Sequence, residues 1–198
     1  MLGQCGAASA DIAAVQQALR ALYDDSLPCT GACRIVQDAD RLAKLGAMGV
    51  AAFFTKATLR GHGLTDSLVQ SLSRELTYAQ AAPRSMLTDS GRTLARGHSA
   101  RTIAFFDDLL GELEGCGLGS FQRRPLVVEG NFRTRDGAHA ARMEVSLVTP
   151  VACPDCEAPI GVTHRCERGL KCETLKARLA CSACAYAREI SFCLPVFA

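Results

Sequence analysis

Two Cys-x-x-Cys pairs, Cys153 with Cys156 in "CPDC" and Cys181 with Cys184 in "CSAC", stand 24 residues apart near the end of the chain. Such a pair presents two thiolates from one tight turn. Two pairs joined by a β-hairpin complete the four-ligand tetrahedron of a structural zinc site. The intervening sequence suits that hairpin. "IGVTHRCE" and "LKARLAC" read as strands around a "RGLKCET" turn, and "REISFCLPVF" alternates Ile190, Phe192 and Leu194 as a third strand. One structural Zn2+ in a zinc ribbon is therefore expected. Four thiolates leave no open coordination position, which argues for a structural role over a catalytic one.

Other chemistries of these residue types fit less well. Thioredoxin-type redox work needs a Cys-x-x-Cys that opens a helix after a strand, whereas each pair here precedes a strand-like run. A zinc deaminase needs His-x-Glu and a Pro directly before its Cys-x-x-Cys. His62, His98 and His139 lack a Glu two residues on, and Pro150 is too far from Cys153. There is no Walker loop and no Gly-x-Ser-x-Gly elbow, so no enzyme is expected. Two looser sets remain: His164, Cys166, Cys172 and Cys193, and Cys5, Cys29, Cys33 and Cys116. Their spacing is irregular. They read as packing thiols and a surface histidine, with a second metal site as the alternative.

The same segment is basic. Arg165, Arg168, Lys171, Lys176, Arg178 and Arg188 lie in or beside the expected hairpin. Strand alternation puts Lys176 and Arg178 on one face with Arg165 across the ladder, and Arg168 and Lys171 at the tip. Phosphate contacts from such a hairpin would be largely sequence-independent and salt-sensitive. The alternative is a solvated surface balanced by Glu167 and Glu173. The chain's net charge of +2 is unevenly spread: residues 1–118 hold 11 Lys/Arg against 12 Asp/Glu, and residues 119–198 hold 11 against 8. The excess favours a polyanionic partner, RNA above all, for the C-terminal part.

The elements that must position these residues are helices first and strands later. Ile12, Val15, Leu19 and Leu22 predict a helix behind Ser9 and Asp11. Ile35, Ala39, Leu42 and Leu45 predict a second, stopped near Gly46 or Gly49, and "VAAFFTKATLRGHG" a third. Thr65 caps a fourth with Leu68, Val69, Leu72 and Leu76 inward, and the chain turns around Pro83. "RTLAR" is a short helical piece. Ser99 then caps "ARTIAFFDDLLGELEG", whose Ile103, Phe106, Leu110 and Leu113 face is expected to pack on the strand "PLVVEG". Asp107, Asp108, Glu112 and Glu114 form its solvated edge. "ARMEVSLVTPV" is ambiguous: Met143, Val145 and Leu147 alternate as in a strand, while Met143, Leu147 and Val151 also fit one helical face. The fold class is α+β, with a helical N-terminal region (1–82), a small α-β domain (83–150) and a zinc ribbon (151–198).

An odd count of 11 cysteines, with no basic stretch ahead of an apolar run at the N-terminus, points to thiols and metal ligands. An intracellular reducing compartment, the cytoplasm, is expected. No apolar run approaches the roughly 18 residues that span a bilayer, so no membrane partner is expected.

From about Ser85 onward the order of elements resembles a known family. "ARTIAFFDDLLGELEGCGLGS", then "PLVVEGNF", then an element ending "VACPDC", then a ribbon closing "CSACAYAREI" is similar to the beta subunit of translation initiation factor two and the N-terminal half of translation initiation factor five. The resemblance covers a little over half the chain. It implies a small α-β domain joined to a zinc ribbon, with "ARMEVSLV" a helix. It also implies a non-catalytic role on or near the small ribosomal subunit, with RNA and a GTP-binding initiation factor subunit as partners. Only the zinc ligands Cys153, Cys156, Cys181 and Cys184 carry over by residue. The hairpin here is longer than the family's, the lysine-rich blocks of the eukaryotic beta subunit are missing, and the first 80 residues have no counterpart. A zinc-ribbon protein of transcription or of another nucleoprotein assembly, a viral one included, is the alternative.

Overall fold

Among the described residues, five helices precede five strands: α1 (Ser9–Ala21), α2 (Ala32–Leu42), α3 (Gly46–Leu59), α4 (Asp66–Ser85), α5 (Asp89–Gly115), β1 (Phe121–Thr134), β2 (Gly137–Pro150), β3 (Ile160–Arg168), β4 (Glu173–Cys181) and β5 (Ala187–Cys193). The computed structural model describes residues 6, 8–22, 27, 29, 31–63, 66–134, 137–168 and 173–195. The mixed helix-and-sheet class agrees with the α+β expectation. Thr65, expected as a cap, lies outside the described residues.

α5 is the long axis of the helical part, and it starts well before Ser99. Thr88 is its N-cap, with Oγ1 accepting from the Gly91 N–H at 2.9 Å. Asp38 of α2 braces that cap. Its carboxylate accepts from the Leu87 N–H, the Thr88 N–H and the Thr88 hydroxyl at 2.8, 2.9 and 2.6 Å. Gly91 permits the approach, since a Cβ there would lie 2.3 Å from Asp38 Oδ2. With its first turn thus satisfied, the helix absorbs "RTLAR" and leaves Ser99 buried in its interior. Pro83 likewise does not turn the chain. It sits in the last turn of α4, where its missing N–H leaves the Ala79 carbonyl without a helical donor but only two residues of helix remain, and the bend falls at residues 86–88.

The apolar residues that mark α1 and α2 are inward only in part: Leu45, just past α2, is buried and Leu42 packs beside it, while others face water. On α1, Val15 and Leu19 are 44% and 50% exposed, while Ala18 and Ala21 are buried. On α2, Ile35 is 64% exposed, while Cys33, Gln37 and Asp38 are buried. Hydrogen-bonded anchors decide the orientation of α2: Gln37 Nε2 donates to the Ala21 carbonyl at 2.7 Å, and Asp38 holds the α5 cap. On α4, Val69, Leu72 and Leu76 are buried as expected.

Phe106, Leu110 and Leu113 of α5 are buried, but their main partners are not β1. They join Val50 and Phe53 of α3, Val69, Leu72 and Leu76 of α4, and Val148 of β2. The Phe53 and Phe106 rings meet edge-on with centroids 5.5 Å apart. β1 touches this core at its margin through Phe121, and Arg123 pairs with Asp107 at 2.9 Å. Helix-on-helix packing reaches a deeper seam than the twisted two-stranded ribbon offers.

"ARMEVSLVTP" is a strand, so the helix implied by the family resemblance does not form. β1 and β2 pair antiparallel from Phe121 opposite Pro150 to Thr134 opposite Gly137. β2 has both faces covered. Met143, Val145 and Leu147 face the second sheet, Val148 faces the helices, and Val151 is 46% exposed. Helix α4 seals the outer edge of β2. Ser73 Oγ accepts from the Val148 N–H at 2.8 Å. Thr77 Oγ1 accepts from the Ser146 N–H at 3.1 Å and donates to the Ser146 carbonyl at 3.3 Å. Gln80 Oε1 accepts from the Ser146 hydroxyl at 3.0 Å. Steps of four and three put these residues on one helix face, where they stand in for a third strand. Because Ser146 turns its backbone groups to α4, its partner Pro125 on β1 turns its own outward.

The second sheet has the order β3-β4-β5, antiparallel throughout. Ile160, Leu175, Leu179, Ile190 and Phe192 pack on Val128, Met143, Val145 and Leu147 of the first. Among the described residues, no single helix is long and apolar enough to cross a membrane.

Candidate metal centre

The turn after β2 carries the first cysteine pair and the turn after β4 the second. In the first, the Cys153 N–H donates to the Ala158 carbonyl at 2.9 Å and the Glu157 N–H to the Cys153 carbonyl at 2.8 Å. Glu157 has a φ of 61°, so this turn is tight enough to force a non-glycine residue into the left-handed region. In the second, the Cys181 N–H donates to the Tyr186 carbonyl at 3.0 Å. The Ala183 N–H donates to Cys181 Sγ at 3.3 Å and the Tyr186 N–H to Cys184 Sγ at 3.4 Å. Backbone donors aimed at sulfur favour the thiolate.

All four sulfurs converge. Cys153 and Cys184 lie 3.5 Å apart, as do Cys156 and Cys181, and every pair is within 4.8 Å. A tetrahedral ion with metal–sulfur bonds of about 2.3 Å requires sulfurs about 3.8 Å apart, so the set can hold a metal ion. Cys153 is 1% exposed and roots the cluster in the core between the sheets, while Cys156 reaches the surface. As free thiols the four are electrostatically unequal. The Ala183 N–H leads in drawing Cys181 down to about 7. At Cys184 the pull of the Tyr186 N–H is outweighed by burial and by hydrogen bonds with neighbouring thiols, which push it up to about 12. Four adjacent sulfurs cannot all ionise without a cation among them.

No family model matches the chain, and neither does any curated protein or solved structure.

Among the described residues the looser cysteine sets form no group that could hold a metal, although Cys29 packs beside Cys33. The four-sulfur group is the metal-capable cluster found among the described residues. Cys193 is disulfide-bonded and so offers no thiolate, Cys116 and His164 are exposed, and Cys33 is buried in a small cluster with Ala18 and Ala21. Cys5 and Cys172 lie outside the described residues.

The basic residues divide between the two faces of the second sheet. Arg165 stands opposite Lys176, and Thr163 opposite Arg178, so the three cations share the outer face. Glu167 bridges two of them, at 2.7 Å from Lys176 and 2.8 Å from Arg165. Those bonds, Lys176 first, hold its carboxyl below the usual carboxylate range. Glu189 stands opposite Arg178. Arg188 is paired with Leu179 and Arg168 with Glu173, so both lie on the other face, with Arg168 exposed at the strand end. Lys171 lies outside the described residues. No residue type marks the sulfur-directed N–H groups of Ala183 and Tyr186 in advance, because every residue except proline supplies a backbone donor.

Proposed function

We propose that Cys153, Cys156, Cys181 and Cys184 hold one structural Zn2+ in a ribbon, and that the protein is a non-catalytic, translation-initiation-factor-like protein that binds RNA and protein partners. An all-thiolate tetrahedron suits zinc, and in small ribbons that ion supplies the folding energy. The observation that carries the RNA reading is the outer face of the β3-β4-β5 sheet. There Arg165, Lys176 and Arg178 stand side by side on a rigid ladder, a spacing suited to a phosphate backbone.

The strand at β2, where the initiation-factor family has a helix, favours a second reading. In it the chain is a zinc-ribbon protein of transcription or of another nucleoprotein assembly. Native pull-down of the full chain with recovered nucleic acid sequenced separates the two: ribosomal or transfer RNA supports the first, and DNA or polymerase the second. RNA binding by the full chain across a salt series tests what they share. Affinity that ignores salt, or that survives Arg165→Glu, Lys176→Glu and Arg178→Glu together, removes the nucleic-acid reading.

A further inference from the structure

A cavity of about 600 Å³ opens between α4, α5 and β2, and none of the four clustered cysteines lines it. Its apolar lining comes from Ala79, Ala81, Pro83, Ala100 and Ile103. That size lies within the range of small-molecule sites, roughly 300–1,000 Å³.

Ser99, which also lines the cavity, is 5% exposed, and its hydroxyl has no hydrogen-bond partner. A serine inside a helix ordinarily donates to the carbonyl four residues back, as Thr102 does to His98 at 3.0 Å. Ser99 does not, and a buried unpaired hydroxyl calls for a partner. At the rim, Arg84 of α4 and Arg96 of α5 are exposed. Neither has an ion pair or side-chain hydrogen bond among the described residues. Arg142, by contrast, is engaged with Glu129 at 2.8 Å. Glu144 is the acid among the lining residues and stands on the β2 side.

We propose that this cavity binds a small aromatic anion: a flat apolar body carrying a phosphate or a carboxylate. The body lies on Ala79, Pro83 and Ile103, a polar atom of it meets the Ser99 hydroxyl, and Arg84 and Arg96 clamp the charged group. Guanidinium forks match the planar or bidentate geometry of either anion. Glu144 keeps the charged end on the arginine side. A nucleoside monophosphate and an aromatic carboxylate both answer this description.

Titration calorimetry of the full chain tests it with naphthyl phosphate, adenosine monophosphate, naphthoate and inorganic phosphate as probes. Saturable binding of at least one aromatic anion is expected, at least about tenfold tighter than inorganic phosphate. Arg84→Gln with Arg96→Gln should weaken it by about tenfold or more, the scale of a lost charge-assisted hydrogen bond. Ser99→Ala should weaken binding severalfold while the melting temperature stays level or rises, because it removes an unpaired buried hydroxyl. Tighter binding of adenosine monophosphate than of naphthoate identifies the phosphate source, and the reverse order the carboxylate. No saturable binding by any aromatic probe, inorganic phosphate binding as tightly as the aromatic anions, or equal affinity in wild type and the arginine double variant would overturn the proposal.

Discussion

Thr77 and Ser146 exchange two hydrogen bonds across the joint between α4 and β2. One hydroxyl accepts from the Ser146 N–H at 3.1 Å and donates to the Ser146 carbonyl at 3.3 Å. Both residues are at most 1% exposed, so water cannot replace either bond. Thr77→Val keeps the shape of the side chain and strands both backbone groups. It should cost about 1–3 kcal/mol, read as a lower urea midpoint with an unchanged slope. A midpoint equal to wild type would mean that another group satisfies this edge.

Metal removal should act on one half of the molecule first. A structural zinc contributes roughly 10–16 kcal/mol to a small ribbon. Chelation, or Cys181→Ser, should therefore melt the β3-β4-β5 sheet and uncover Val128, Met143 and Val145. The core of α3, α4 and α5 contains no residue of that sheet and should stay folded. Hydrogen exchange before and after chelation checks this: uniform loss of protection in sheet and helices alike would show one indivisible core, and metal analysis without zinc would remove the ion itself.

Phe106 is 1% exposed and rests edge-on against Phe53. Phe106→Ala should cost about 3–5 kcal/mol. Phe105→Ala, at a site 43% exposed, should cost much less. Equal thermal shifts in the two variants would put the helical core elsewhere.

Tyr78 supplies an alkaline limit to stability. Burial foremost pushes its phenol well above the ordinary value, against the opposing pull of Arg41, and its hydroxyl donates to the Arg41 carbonyl at 3.0 Å. A pKa raised by folding gives stability that is complete below the unfolded value of about 10 and is lost as pH rises beyond it. Tyr78→Phe should lower stability near neutral pH by about 0.5–1.5 kcal/mol and flatten the decline above pH ~10. Melting curves that fall in parallel for the two proteins at high pH would assign that decline to other groups.

The metal-capable cluster was legible because Cys-x-x-Cys spacing encodes a local geometry, and the three strands around it because short alternating runs flank each pair. The inner face of α4 was legible because three large apolar residues define it. The faces of α1 and α2 were not. There the deciding contacts are long-range polar ones, from Gln37 to Ala21 and from Asp38 to the start of α5, and hydrophobic periodicity does not register them. The start of α5 was hidden for the same reason, since Thr88 becomes a cap only once Asp38 braces it. "ARMEVSLV" fitted two periods equally, and the choice was made by burial on both faces of β2. Ser99 looked like a cap by residue type, although its neighbours on both sides are helical.

Pro125 lies on the one edge of the β1-β2 ribbon that α4 leaves uncovered, with its ring nitrogen turned outward. An open strand edge is a template for a second chain. The missing donor interrupts that template in the first half of β1, and the exposed Arg123 and Glu129 flank it with charge. The ribbon therefore carries its own safeguard against edge-to-edge polymerisation: growth of the sheet is blocked by a helix on one side and by a proline on the other.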